Sequence, residues 1–395
     1  MSEFLPFIFW ISFLTVFYTY LGYGMILGML AKIKRWLSPK VEHPGFEKDW
    51  PEVTILIAAY NEKDFIRQKL ENTLSLDYSS DKLRIRVVTD GSIDGTDQIA
   101  ASFPGVNVSH QPKRRGKIGA INRVMPEITS PIVVFTDANT FLNPMAIQYL
   151  ARHFADPQIG AVAGEKRIMR DFQKSAAGAG EGLYWKYESI LKKWDAAFYS
   201  VVGAAGELFA IRREAFVKIR PDTIIEDFVL SMRIAAQGYR VGYEPEAFAR
   251  EAPSVSVREE LKRKIRIAAG GLQAVYRLAF LLNPFKFGWL SFQYISHRVL
   301  RWTLAPLGLM LMFVTNFPLA IYSGAFYQLF LIGQILFYAI ALAGHFLQKK
   351  HIRIKGFFIP YYFLVMNYAV FAGAIRLLRK KQNVLWERSK RRKVT

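Results

Sequence analysis

The sequence contains no cysteine among its 395 residues, and its six histidines show no metal-ligand spacing. Disulfides, thiol nucleophiles and cysteine-ligated metals are therefore excluded, and any metal must be held by oxygen or histidine. Acidic residues are also scarce, with 32 Asp and Glu against 53 Lys and Arg, which leaves a formal charge of +21. The basic residues concentrate at 262–266, 349–355 and 379–393, beside apolar segments. This placement indicates membrane lipids as partners, and no nucleic acid.

Four segments are long and apolar enough to cross a membrane. Residues 4–30 include no Asp, Glu, Lys or Arg, and about 20 helical residues span the hydrocarbon core. A signal peptide is the alternative, but the basic residues follow this segment, which favours an uncleaved helix with its C-terminal end in the cytoplasm. Three further segments, for which buried helices of a soluble core are the alternative, lie at about 304–322, 326–347 and 357–375.

These segments divide the chain into five parts. We predict an N-terminal transmembrane helix at 1–31, a central globular domain at 50–255, an interfacial amphipathic region at 256–298, transmembrane helices at 299–378 and a basic tail at 379–395. The protein is expected in the plasma (inner) membrane as a multi-pass protein with a cytosolic central domain. If the central domain is cytosolic, the three late spans would place the tail outside, whereas the basic residues of the tail favour the cytosol. We expect the tail inside, with one late segment re-entrant or interfacial.

The central domain alternates short β-rich runs with helical stretches. Continuous apolar runs predict strands at 53–58, 85–89, 106–110 and 132–136, and helices are predicted around 64–76, 96–103 and 117–126. This order indicates an α/β fold, Rossmann-like, with a mostly parallel sheet and helices on both faces.

Three of these strands lead directly into acidic loops, AAYNE, TDGSIDGT and TDANT. Ligands of open α/β sheets bind at the carboxyl ends of the strands, so Glu62, Asp90 and Asp137 are expected in one crevice. Ordinary turns are the alternative for each loop alone. GSIDGT lacks the GxGxxG order of a dinucleotide loop. Asp137, with Asn139 two residues later, suits a hard cation that neutralises a departing diphosphate.

An ordered set of motifs then resembles the membrane-bound inverting glycosyltransferases of family 2, which have a GT-A domain and include cellulose, hyaluronan and poly-N-acetylglucosamine synthases. The motifs are AAYNE, VVTDGSIDGT, RRGKIGAIN, FTDANT, GAAGELFAIRRE, IIEDF and KRKIRIAAGGLQ, and they extend over about residues 51–273. The resemblance implies that a nucleotide-diphospho-sugar is bound by Ala59, Tyr60, Glu62, Asp90 and Lys117. It also implies Mg²⁺ or Mn²⁺ at Asp137, where Asn139 replaces the second acid of the family's DxD form.

The acidic pair of TIIEDF stands at the start of a predicted helix, where capping alone is one explanation. The resemblance implies that Asp227 is the general base for the acceptor hydroxyl, and Glu226 is the next candidate. A helix N-terminus favours the ionised carboxylate that a base requires.

The basic and apolar stretch at 258–278 is expected to lie along the membrane surface. Within it, residues 263–267 occupy the place of the family's QxxRW motif, so Arg263 and Arg266 are expected to bind the diphosphate, with binding to lipid headgroups as the alternative. Ile267 stands where the family's acceptor-binding Trp stands. A second match, RVLRW at 298–302, is interpreted as an interfacial anchor. Tyr184 and Trp185 are weak acceptor candidates, because a core role is as plausible.

The sequence therefore predicts a membrane-embedded transferase that moves a sugar, most plausibly from a UDP-sugar, to a lipid-linked or growing glycan acceptor. Because Ile267 offers no ring face, one or a few additions are favoured over the alternative, processive synthesis. A non-catalytic membrane subunit of a polysaccharide assembly is a further alternative. Polysaccharide export proteins are conceivable partners.

Overall fold

A computed structural model describes residues 4–37, 49–169, 176–252, 257–349 and 354–381. Its centre is an eight-stranded sheet with the neighbour order β3-β2-β1-β4-β7-β6-β8-β5. The strands are β1 Val53–Ala59, β2 Leu83–Asp90, β3 Val106–Gln111, β4 Ile132–Asp137, β5 Thr140–Leu142, β6 Ile159–Ile168, β7 Leu208–Arg212 and β8 Arg240–Glu251.

The first four strands confirm the predicted α/β order. β1 pairs in parallel with β2 and β4, and β2 pairs in parallel with β3. β7 lies antiparallel between β4 and β6, while β6 and β8 are parallel. The sheet is therefore mixed: strands β3, β2, β1 and β4 form a parallel half, and β7 introduces antiparallel pairs beside it.

Helices cover both faces of the sheet. They are α3 Lys63–Leu74, α4 Thr96–Ala101, α5 Lys117–Val124, α6 Ala146–Ala151, α7 Ala176–Phe198 and α8 Glu226–Ala236. Alternate side chains of a strand point to opposite faces, so Leu56 joins the core cluster that includes α5 and α8, whereas Ile55 and Ile57 join the cluster that includes α3 and α6. This double burial explains why β1 is apolar throughout.

The strands that lead into acidic loops end at the same edge. Ala59 of β1 is level with Thr89 of β2, and Ala58 is level with Asp137 of β4. The loops that follow β1, β2 and β4 therefore begin side by side, as the sequence predicts.

Within the described residues, four helices are long and apolar enough to cross a membrane: 4–37, 304–322, 325–349 and 356–378. The first consists of α1 Phe4–Phe17 and α2 Tyr23–Leu37, joined by a π-helical turn at Tyr18–Gly22. The others lie in α13 Leu304–Tyr322, α14 Ala325–Lys349 and α15 Lys355–Leu378.

Between the sheet and these late helices the chain forms α9 Val257–Arg277, α10 Pro284–Phe287, α11 Trp289–Tyr294, a π-helical turn at Ile295–Val299 and α12 Leu300–Trp302. α9 packs closely on α15, because a methyl group at Gly373 would lie 2.7 Å from the backbone nitrogen of Ala269. The position of α9 at a membrane surface stays a prediction. The basic tail beyond residue 381 lies outside the described residues. The side of the membrane on which this tail lies therefore stays a prediction.

Candidate active site

A cavity of about 1150 Å³ lies between the sheet edge and the membrane helices. Its apolar walls include side chains of α1, α13, α14 and α15, among them Phe13, Met312, Phe337 and Phe363. Its polar end brings together most of the residues that the sequence singled out: Lys117, Asp137, Glu226, Asp227, Arg263, Arg266 and Ile267. A charged site thus opens directly towards the membrane part of the chain.

Lys117 is the cation at the centre of this polar end. It occupies the first position of α5, and its Nζ lies 2.7 Å from Asp137 Oδ1 and 3.3 Å from Glu226 Oε1. Burial alone lowers the pKa of Lys117, but the charges of Asp137, Glu226 and Asp227 outweigh burial and hold that pKa above its ordinary value. Lys117 is therefore a permanent positive charge between the predicted metal ligand and the predicted base.

Asp227 lies in the first turn of α8, facing the same cavity. Two glycines of the segment before β7 make room there: a methyl group at Gly206 would lie 3.2 Å from Asp227 Oδ2, and one at Gly203 would lie 2.1 Å from the ring of Phe228. Gly203 also has a positive φ of 89°. The close approach of α8 thus requires glycine at position 203, and a methyl group at position 206 would be a tight fit beside Asp227.

The expectation that the helix N-terminus keeps Asp227 readily ionised is wrong. Burial and the neighbouring Glu226 carboxylate raise the pKa of Asp227 to about 7, although Lys117 opposes the rise. Desolvation and a like charge outweigh the helix dipole here. The carboxyl group therefore titrates close to neutrality, where a general base can both accept and release a proton.

This pKa predicts an acidic limb in the pH profile of the reaction. A base works only when deprotonated, so turnover is expected to fall as pH drops through about 7. The measurement is nucleotide release from about pH 5 to about pH 9 at constant ionic strength. Glu226→Gln removes a like charge and should move the limb to lower pH. If the acidic limb stays at the same pH in Glu226→Gln, the assignment of this limb to Asp227 is wrong.

Asp137 and Asn139 fit a hard cation. Both are buried at the end of β4, and Asn139 Oδ1 has no hydrogen-bond partner among the described residues. Lys117 Nζ donates a hydrogen bond to Asp137 Oδ1. A carboxylate and an unused amide oxygen, with ligand phosphates, form an ordinary oxygen coordination set. Among the described residues no group of three acidic, His or Cys side chains is available.

The predicted nucleoside residues line a smaller pocket at the ends of β1 and β2. Ala59, Tyr60, Asp90 and Lys117 all line it, together with Arg114, whose guanidinium lies 3.6 Å from the ring centre of Tyr60. The carboxylate of Asp90 accepts hydrogen bonds from the backbone of Arg115 and Gly116. Asp90 therefore also holds the loop before Lys117 in place. Glu62 does not line this pocket: it is buried, and its backbone nitrogen donates to Thr96 Oγ1.

Arg263 and Arg266 both line the cavity but differ in their partners. Arg263 donates two hydrogen bonds to Glu260, at 3.1 and 3.2 Å. Arg266 donates to the carbonyl oxygen of Ile224, in the loop before α8, and its buried Nε has no partner among the described residues. Arg266 thus has a donor left for a ligand.

The family comparison decides the nature of this domain. Residues 54–220 match the model of Glycosyl transferase family 2. The chain carries a family 2 glycosyltransferase domain. The predicted family is thereby confirmed.

Known relatives agree with this assignment. The chain is 30% identical over 234 residues to a poly-β-1,6-N-acetyl-D-glucosamine synthase of Staphylococcus aureus (strain MSSA476), covering 57% of this chain and 56% of the relative. It is 29% identical over 255 residues to the probable glycosyltransferase YdaM of Bacillus subtilis (strain 168), covering 60% of this chain and 59% of that protein. The matches thus span little more than half of these relatives.

The fold also matches a solved structure. The mannosyltransferase PcManGT from Pyrobaculum calidifontis, solved with GDP-Man and Mn²⁺, superposes with a TM-score of 0.72 at 24% identity, over 95% of this chain and 99% of that one. This likeness confirms the predicted GT-A fold with its flanking helices.

Two largely buried carboxylates of the cavity lining, Glu207 and Glu188, were not among the predicted site residues. Glu207 at the start of β7 binds Lys166 Nζ at 2.8 Å. Burial alone raises the pKa of Glu207, but Lys166 and Arg263 hold it well below its usual range. Glu188 of α7, another buried carboxylate of the lining, pairs with Arg298 and Arg301. Glu207 belongs to the GAAGELFAIRRE motif, but the sequence alone does not indicate which cations pair with Glu207 or Glu188.

The segment RVLRW also lines the cavity through Arg298, Arg301 and Trp302. Its interpretation as an interfacial anchor is therefore incomplete. The π-helical turn before it contacts the one in the first membrane helix, where the hydroxyl groups of Tyr18 and Ser296 lie 2.7 Å apart. Such turns recur at functional sites. Tyr184 and Trp185 fall in the part of α7 whose side chains lie outside the described residues.

Proposed function

We propose that this protein is a membrane glycosyltransferase that moves a sugar from a nucleotide-diphospho-sugar, UDP-linked, to a lipid-linked or growing glycan acceptor, with inversion at the anomeric carbon. The observation that carries this proposal is the group of Lys117, Asp137, Glu226 and Asp227 at the polar end of a cavity with apolar membrane-helix walls. A water-soluble donor enters such a site from the sheet side. An acceptor attached to a lipid reaches it from the membrane side.

The reaction follows from the positions of these groups. Asp227 accepts the proton of the acceptor hydroxyl as that oxygen bonds to the anomeric carbon, while the bond from this carbon to the diphosphate oxygen breaks on the opposite face. This in-line displacement inverts the configuration. Lys117 and Arg266 stabilise the negative charge of the leaving diphosphate, with Arg263 as a further cation beside it.

Asp137 and Asn139 would hold Mg²⁺ or Mn²⁺ against the diphosphate. Such a cation supplies charge neutralisation of the leaving group. Support comes from the unsatisfied buried oxygen of Asn139, and from the solved mannosyltransferase, which contains a nucleotide sugar and Mn²⁺ together.

We assign the protein to the plasma (inner) membrane with its transferase domain in the cytosol. The first span ends in Lys32, Lys34 and Arg35, and basic residues flank spans on the cytoplasmic side. Nucleotide sugars are cytosolic substrates, so the proposed donor and the proposed orientation are consistent.

Processive polysaccharide synthesis is the second candidate. It is favoured by the similarity to a synthase whose name specifies a polymer of N-acetylglucosamine, and by the extension of the cavity among the membrane helices. Products of one or a few sugars would instead agree with Ile267, which has no aromatic ring at the place of the family's tryptophan.

A donor screen on the purified full chain in detergent tests the proposal. UDP-sugars and GDP-sugars are supplied with Mn²⁺, and nucleotide release and product size are read together. We expect UDP release that depends on the divalent cation, with transfer to the acceptor. At limiting enzyme, a long polymer formed while most acceptor stays unused would select the processive candidate. Nucleotide binding without release or transfer for every donor would instead favour the non-catalytic subunit.

A further inference from the structure

Lys69 lies on the buried face of α3, where a lysine is unusual. The buried side chains of this helix are Phe65, Ile66, Lys69, Leu70 and Thr73, and Lys69 is completely buried. Burying an amine costs free energy unless hydrogen bonds replace those to water. An apolar side chain of similar length would fill the same space without that cost. A lysine at this position therefore indicates a role other than packing.

The amine of Lys69 bonds to both ends of the DAN turn, residues 137–139, which contains the proposed metal ligands Asp137 and Asn139. Nζ donates to Thr136 Oγ1 at 3.0 Å and to the carbonyl oxygen of Thr140 at 2.8 Å. Thr136 directly precedes the turn and Thr140 directly follows it. Lys69 thus fixes the turn at its entry and at its exit.

Asn72, one turn further along α3, holds the strand that leaves the DAN turn. Its side-chain amide donates to the carbonyl oxygen of Leu142 at 3.0 Å and accepts from the backbone nitrogen of Leu142 at 2.8 Å. Residues three apart are neighbours on one face of a helix. α3 therefore binds the segment 136–142 at several points, and Lys69 supplies the contacts that flank the proposed ligands.

Thr136 also links Lys69 to the cavity wall beside the proposed base. While Thr136 Oγ1 accepts from Lys69, it donates to the carbonyl oxygen of Glu207 at 3.0 Å. Glu207 follows Gly206, where a methyl group would lie 3.2 Å from Asp227 Oδ2. Hydrogen bonds thus connect Lys69 with the DAN turn and with the backbone next to Asp227.

The two hydrogen bonds of Lys69 do not require its charge. Burial lowers the pKa of Lys69 to about 7, against the opposing effect of the Asp137 carboxylate. A neutral amine still has two N–H groups, one each for Thr136 and Thr140. The contacts with the DAN turn are therefore available in either protonation state.

We propose that Lys69 is a positioning residue that holds Asp137 and Asn139 in the arrangement that binds a divalent cation together with the donor diphosphate. This inference rests on the proposed transferase function, which supplies the cation and the diphosphate. Lys69 does not line the cavity and acts through Thr136 and Thr140. Its loss therefore weakens cation binding, whereas the chemistry of transfer at saturating cation is retained.

Mn²⁺ binding measures this role without any transfer of sugar. The full chain in detergent is titrated with Mn²⁺ in the presence of UDP, and free Mn²⁺ is read from its EPR signal. We expect Lys69→Met to weaken Mn²⁺ binding by roughly three- to tenfold, the factor for about one net hydrogen bond. The effect should persist at about pH 8, where the wild-type amine is largely neutral. UDP affinity in EDTA should stay unchanged.

Thr73→Val is the matched control for Lys69→Met. Thr73 is buried on the same helix, and its hydroxyl group donates to the carbonyl oxygen of Lys69 at 2.7 Å, within α3. Thr73→Val should therefore bind Mn²⁺ like the wild type. Thermal unfolding in detergent accompanies every variant.

Thr136→Val tests the same contact from the side of the DAN turn. It removes the hydroxyl group that accepts from Lys69 and should weaken Mn²⁺ binding in the same direction. The double variant with Lys69→Met should lose little more, because both changes break one contact. If Lys69→Met does not fold, Thr136→Val decides the outcome. In transfer assays, the Mn²⁺ concentration for half-maximal activity should rise while turnover at saturating Mn²⁺ stays near the wild-type value.

The outcomes separate this inference from the proposed function. Unchanged or tighter Mn²⁺ binding by folded Lys69→Met overturns the inference, as does equal weakening by Thr73→Val. Weakening confined to Lys69→Met and Thr136→Val, in a protein that transfers no sugar, would sink the proposed function and keep the inference. Transfer by a wild type that binds no Mn²⁺ with UDP would do the reverse.

Discussion

Asp227→Asn is expected to lower turnover by roughly 10² to 10⁴, the usual cost of a lost general base. The amide keeps the shape of the side chain beside Gly206 but cannot accept the hydroxyl proton. Donor affinity should change little, because the proposed role of Asp227 faces the acceptor. The measurement is single-turnover transfer at saturating donor, with nucleotide affinity determined separately.

Two neighbouring carboxylates provide controls for this variant. Glu226→Gln removes the partner 3.3 Å from Lys117 and is expected to have the smaller effect. Asp222→Asn changes an exposed residue paired with Arg277 and should leave turnover at the wild-type level. If Asp227→Asn keeps near-wild-type turnover, or loses nucleotide binding instead, another residue is the base. Glu226 is then the next candidate.

The parallel half of the fold could be predicted because its signals are local. β1, β2 and β4 are short apolar runs, and each ends in polar residues that belong to the same sheet edge. Register in a parallel sheet places such ends side by side. The sequence alone therefore predicts that Asp90 and Asp137 lie at one edge of the sheet.

The other half of the site depends on contacts between distant residues. β7 runs antiparallel between β4 and β6, and no local pattern specifies that pairing. The raised pKa of Asp227 comes first from burial, beside Gly206 among others, and then from the charge of the adjacent Glu226. The local helix-end argument accounts for neither cause and so reached the wrong conclusion. Trp302 resembles an interfacial anchor until its contact with Gly271 is seen.

The glycines carry a signal that sequence reasoning left unused. Gly203, Gly206, Gly270 and Gly271 each lie where a methyl group would meet an α8 residue, the loop before it, or Trp302. Glycine pairs inside a helix such as α9 are costly unless another segment approaches closely. A glycine pair inside a helix, next to a predicted catalytic motif, therefore indicates that another segment packs closely on that helix at the active site.

Asp137→Asn is expected to reduce metal-dependent transfer by about 10²-fold or more, since a cation contributes several kcal/mol of charge stabilisation. The variant removes the proposed carboxylate ligand and also the partner 2.7 Å from Lys117. A neutral amide holds a divalent cation poorly. Transfer is measured as a function of Mn²⁺ concentration, with a parallel series in EDTA.

Asn139→Ala separates the two proposed ligands. Loss of an amide oxygen that has no partner among the described residues should raise the Mn²⁺ concentration for half-maximal activity while leaving saturated turnover near the wild-type value. Asp137→Asn should instead stay impaired at saturating Mn²⁺, because both the ligand and the charge that orients Lys117 are gone. Transfer at full rate in EDTA by the wild type would refute the metal role of Asp137. It would assign the neutralisation of the leaving diphosphate to Lys117, Arg263 and Arg266 alone.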